Sequence, residues 1–110
     1  MNNKIKAIQT ALIEGTIETP EKLSRAQEIL SAYYSQLADE LAILQNKSNV
    51  DWIETRKHTK SDSQAEKELL VTEDGQKITL LKYKLKSLEK LIGAIKNRIS
   101  VKNNELRNLY

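Results

Sequence analysis

The chain has 110 residues, no Cys, no Phe, one Trp and a formal net charge of +3 at pH 7. That excludes disulfides and thiolate metal sites and bounds the protein to one modest domain, residues 1–110. With 30% charged and 39% hydrophobic residues, one Pro and three Gly, the composition predicts an all-α fold.

Residues 3–14 predict a short amphipathic helix, since Ile5, Ile8, Leu12 and Ile13 recur at helical spacing. Gly15 supplies the stop, because glycine enters the left-handed region at little cost. The opening MNNKIKAIQTALIEGT lacks the long apolar core of a secretion signal, and no window approaches the roughly 18 apolar residues of a membrane span. The expectation is a cytoplasmic protein, in the host cytoplasm if phage-encoded, that does not contact a membrane.

Thr19-Pro20-Glu21 predicts a helix start. Thr accepts a backbone N–H at the N-cap, Pro fits the first turn, and Glu21 complements the positive end of the dipole. Leu23, Leu30, Tyr34, Leu37, Leu41 and Leu44 then follow a 7-4-3-4-3 spacing, a coiled-coil-like seam. NKSNVD, residues 46–51, interrupts it. Continuation with local bending is favoured over a break, with the stripe moving to Val50 and Ile53.

SDS at 61–63 reads as a loop and helix cap, and AEKELLVT as a short helix ended by Asp74-Gly75. A small β-hairpin around 70–79 is the rival, because Val71, Ile78 and Thr79 favour strands. The last helix is expected over 76–108. Ile78, Leu81, Leu85, Leu88, Ile92, Ile95, Ile99, Lys102, Leu106 and Leu109 follow a 3-4 alternation broken only by Lys102. A helix of about 50 Å has to pack on the 20–47 helix, on copies of itself, or on both. The expected architecture is an antiparallel helical hairpin or bundle with two long coiled-coil-like helices and short flanking helices. Its oligomer interface is placed on Leu81, Leu85, Leu88, Ile92, Ile95 and Ile99.

Nothing in the sequence points to an enzyme. His58 is the sole His, Gly15, Gly75 and Gly93 are isolated, and Glu66 and Glu68 sit in charged, solvated surroundings unlike the setting that general acid catalysis needs. No cofactor or metal is expected.

Two basic stretches carry the functional signal. In WIETRKHTK, Trp52 offers a face on which bases stack, while Arg56, Lys57 and Lys60 neutralise phosphates; this is the chemistry of single-strand binding without sequence preference. The plainer alternative makes Trp52 a core or interface anchor. In KYKLKSLEKLIGAIKNR, Lys82, Lys86 and Lys90 share one helix face, Lys84 and Arg98 lie on another, and Lys96 sits apart. Residues 76–110 hold nine cations against two anions, and the other 75 residues nine cations against 13 anions. Like charges at i, i+4 repel by a few tenths of a kcal/mol, so such a run suits anions. These are phosphates or the acidic first half of a neighbouring chain, including Glu18, Glu21, Glu28, Asp39 and Glu40. Of the tyrosines, Tyr34 falls on the seam; Tyr33, Tyr83 and Tyr110 complete the aromatic set.

The layout resembles the UvsY-type recombination mediators of phages. The likeness rests on a short helix, a long helix with a Tyr pair, the basic segment Arg56, Lys57 and Lys60, and the IGAIKNR run in the final helix. The loop SDSQAEKELLVTEDGQ departs from that pattern. The resemblance implies a ring-like homo-oligomer that binds single-stranded DNA. It also implies help in loading a recombinase while a single-strand-binding protein is displaced. The alternative is a coiled-coil interaction or structural protein, such as a prefoldin-like hairpin or a phage assembly factor, that binds no nucleic acid.

Overall fold

A computed structural model describes residues 3–15 and 19–108, the side chain of Asn108 excepted. Four helices run in order: α1 (Asn3–Glu14), α2 (Pro20–Arg56), α3 (Asp62–Leu70) and α4 (Glu73–Asn108). There is no strand among the described residues, so the hairpin alternative at 70–79 is excluded. No helix of the described residues is long and apolar enough to cross a membrane. Leu109, Tyr110 and Glu18 lie outside the described residues.

Contacts gather the chain into two compact units. The first comprises residues 1–34 and 87–110. Its core is Ile5, Ile8 and Leu12 of α1, Leu23, Ala26 and Leu30 of α2, and Leu88 and Ile95 of α4. On α1 the buried residues are i, i+3 and i+7; Ile13 sits about 100° round from Leu12 and is 87% exposed, against its expected place on the apolar face. Gly15, at φ 72, turns the chain out of α1. The last turn of α1 holds no basic residue of its own. Arg98 Nη2 reaches it from α4 and donates to the Leu12 carbonyl at 3.1 Å, satisfying one of the carbonyls that a helix end leaves open. At the start of α2 the Thr19 hydroxyl accepts from the Lys22 N–H at 3.3 Å, the expected cap. The two long helices run antiparallel here. Tyr34 meets Glu89, while Arg25 and Glu28, nearer the start of α2, line a groove with Ile99 and Asn103.

The second unit is residues 35–86. α2 runs through NKSNVD to Arg56 without a break, as favoured. The apolar row does not move to Val50 and Ile53, which are 68% and 59% exposed. It passes instead from Leu44 through Ser48 to Trp52, all half-buried at i, i+4 spacing. A single Ser on the inward face costs less than turning the helix, so the row keeps its direction.

Ser61 caps α3, with extended backbone and its Oγ accepting from the Gln64 N–H at 3.2 Å. α3 buries Ala65 fully. Asp74-Gly75 does not end a helix; it lies in the first turn of α4. The break falls at Val71-Thr72. The Thr72 hydroxyl donates to the Leu69 carbonyl at 2.6 Å and accepts from the Gly75 N–H at 3.0 Å, closing α3 and opening α4 with one side chain. Gly75 is buried, and a Cβ there would collide with the Leu69 carbonyl oxygen. Its role is close approach between two helix ends.

Within α4, Leu81, Leu85, Leu88 and Ile95 are buried inside a single chain, and Ile78, Ile92, Ile99 and Lys102 are half-buried. The chain's own helices therefore cover most of the seam that the sequence offered as an oligomer interface. Leu106 is 48% exposed.

Candidate nucleic-acid interface

The indole of Trp52 is held on α2 by the inward-facing row described above. It is half-buried and lines an open groove of about 290 Å³ in the second unit. Ile78, Thr79 and Lys82 of α4 and Leu69 and Leu70 of α3 line the same groove. Thus Trp52 and Lys82, thirty positions apart in sequence, share one wall-to-wall space. Lys86 follows one turn further along α4 and is exposed. Neither ammonium takes part in an ion pair among the described residues. Lys90, also exposed, belongs to the first unit. Glu66 of α3 lines the groove as well, so an anion beside Lys82 must keep clear of that carboxylate.

The segment after Trp52 is organised differently from the expectation of three free cations. Arg56 Nε sits 2.6 Å from Asp62 Oδ1, and its Nη1 donates to the Thr59 carbonyl at 2.9 Å. The guanidinium clamps the 57–61 turn onto the start of α3. Lys57 pairs with Glu54 at 3.3 Å, an exposed contact of the kind that contributes little to stability. Glu54 also lies 3.7 Å from His58. Lys60 remains exposed, its backbone N–H donating to Gln64. The structure therefore brings Trp52 and Lys82 together, leaves Lys57 and Lys60 at the surface, and commits Arg56 to the fold.

Beyond the groove, Lys47 binds Asp74 at 2.8 Å. The hydrogen-bonded ammonium holds the Asp74 carboxyl below the usual carboxylate range, and the same contact raises Lys47. Tyr34 donates to Glu89 at 2.8 Å, which pushes the phenol up. Over the whole second unit nine cations face nine anions, so the excess of α4 is largely met by α2 and α3. Among the described residues no cluster of His, Cys, Asp or Glu could hold a metal ion.

Sequence reasoning missed Asp62 as the partner of Arg56 and missed Gly75 as a contact residue. The first had a signal: an acid directly after the Ser61 cap, six residues beyond an Arg. The second had none, because its cause is the approach of α3. Among the described residues the arrangement defines an all-helical protein with an aromatic groove lined by one unpaired lysine, Lys82, and followed one turn on by Lys86. No known family model matches the chain, and no curated protein or solved structure proved similar to it.

Proposed function

We propose that the chain is a single-stranded DNA-binding accessory protein that works as a homo-oligomer and assists the loading of a recombinase. The supporting observation is the shared groove of Trp52 and Lys82, continued by Lys86, with both ammoniums unpaired among the described residues. A base stacking on the half-open indole places its flanking phosphates over α4, where lysines release condensed counterions. The function is binding, with no catalytic step and no cofactor. The partners are a recombinase and a single-strand-binding protein, and the site of action is the cytoplasm, that of the host if the gene is a phage's. The resemblance to UvsY-type mediators gives the same direction. Fluorescence anisotropy of a labelled oligonucleotide at low and moderate salt tests it. Salt-sensitive binding with little sequence preference is expected; no binding at low salt contradicts it.

A second reading, a helical interaction protein without nucleic-acid binding, is favoured by the charge balance of the second unit. Because Arg56 is committed to Asp62, reversing Lys82 and Lys86 separates the two better than reversing Arg56. Lost oligonucleotide binding per chain supports the first, whatever happens to assembly; altered assembly with oligonucleotide affinity unchanged supports the second.

A further inference from the structure

Seven of the ten large apolar side chains left exposed among the described residues lie in the second unit, so the unit has surface to cover beyond its own core. They form two sets. Ile43, Val50 and Ile53 recur at spacings of seven and three along α2, on the side turned away from half-buried Leu37, Leu41 and Leu44. They make a ridge. Leu70, Leu80 and Tyr83 line a mostly apolar groove of about 450 Å³ with Gln76 and Thr79, and exposed Val71 adjoins it.

The charges around the two sets are opposite. Between residues 39 and 54, α2 carries Asp39, Glu40, Asp51 and Glu54; Glu54 pairs with Lys57, and the one cation, Lys47, is bound to Asp74, which leaves Asp39, Glu40 and Asp51. Around the groove, between residues 66 and 86, Glu73 pairs with Lys77 and Asp74 with Lys47; Lys67, Lys82, Lys84 and Lys86 then outnumber Glu66 and Glu68. Ridge on ridge, or groove on groove, sets like charge against like. Ridge in groove sets acid against base and apolar rows against each other.

We propose that the Ile43–Val50–Ile53 ridge of one copy seats in the Leu70–Leu80–Tyr83 groove of a second copy. Two different faces meet, so every bound pair leaves one ridge and one groove open. Copies add until a ring closes or a filament grows. This deepens the homo-oligomer part of the function proposed above, on residues that the chain's own core leaves uncovered, and it holds whether or not nucleic acid binds.

The test uses two variants of the full chain, Ile43→Glu/Val50→Glu and Leu80→Glu/Tyr83→Glu, sized by sedimentation without oligonucleotide. All four positions are exposed, so the helical circular dichroism should persist. The native chain is expected to assemble with concentration and each variant to stay monomeric. An equimolar mixture of the two should give a species of two chains, because each variant keeps the face the other lacks. A monomeric native chain, a variant that assembles normally, or a mixture that stays monomeric overturns the proposal; the last result means a like-on-like contact. Should a charged pair lose its helical signal, Val50→Ser and Tyr83→Ser probe the same faces. Each should then weaken assembly by about tenfold, and unchanged assembly overturns the proposal. Oligonucleotide binding is measured apart, so failure of the nucleic-acid function and failure of this contact are told apart.

Discussion

Replacing Lys82 and Lys86 together by Ala removes two cations that are unpaired among the described residues, one lining the Trp52 groove and one a turn beyond it, while leaving the core untouched, since both side chains are exposed. For single strands, each phosphate neutralised contributes about 0.7 to the slope of log affinity against log salt. Two lost contacts should make the slope shallower by roughly 1.4. Between about 50 and about 200 mM salt, a fourfold change, the variant should therefore lose about sevenfold less affinity than the native chain does. Anisotropy titrations of a labelled oligonucleotide across that range give both slopes, with mass measured alongside to hold assembly constant. Arg56→Ala is the control. Its guanidinium is held by Asp62 and the Thr59 carbonyl, so its loss should lower Tm and leave the slope in place. An unchanged slope for the Lys82/Lys86 variant, or an equal change for Arg56→Ala, would refute the assignment of the phosphate contacts.

Trp52→Ala should weaken oligonucleotide binding by about 1–3 kcal/mol for each base that stacks there, read in the same titration. Glu66→Gln, which removes the one carboxylate lining the groove, should tighten it; weaker binding would place the strand elsewhere. Gly93→Ala should stabilise the protein by about 0.5–1 kcal/mol, because the new methyl meets nothing within 4 Å and the helix gains propensity. Gly75→Ala should destabilise it by about 1–3 kcal/mol, since backbone carbonyls of α3 must move; urea unfolding compares the two glycines directly. The folded pKa of Asp74 lies below its unfolded value, so its contribution is present above the ordinary carboxylate range and is lost as pH falls through the folded pKa. Lys47 is raised, so its contribution is lost only as pH climbs past the raised value. Asp74→Asn should flatten the acid limb of the stability profile, and an unchanged limb would show that the ion pair does not matter there.

Local chemistry was readable in the sequence, and tertiary choice was not. The Thr19 and Ser61 caps and the Gly15 stop each depend on a few neighbouring residues, and each stands where the pattern put it. Asp74-Gly75 has the composition of a turn, yet a hydroxyl two residues earlier captured the Gly75 N–H and α4 began there. Periodicity groups residues on a face without saying which face goes inward. Leu44, Ser48 and Trp52 competed with Ile43, Val50 and Ile53 for the core, and the choice depended on what α4 presents. The site followed the same division. Trp52 and the lysines could be named from residue type, whereas the union of Trp52 with Lys82 required the two helices to pack. Arg56 carried one local signal, the acid behind the Ser61 cap six residues on, but only the fold shows that the two side chains meet.

Trp52 is the sole indole in the chain, so its emission reports the groove without a label. Titrating the protein with an unlabelled oligonucleotide at low salt should quench that emission to a saturating limit, and the midpoint should move to higher concentration as salt is raised. Emission that stays constant at low salt, while the oligonucleotide is in clear excess, would contradict a base-stacking role for Trp52 and with it the proposed function.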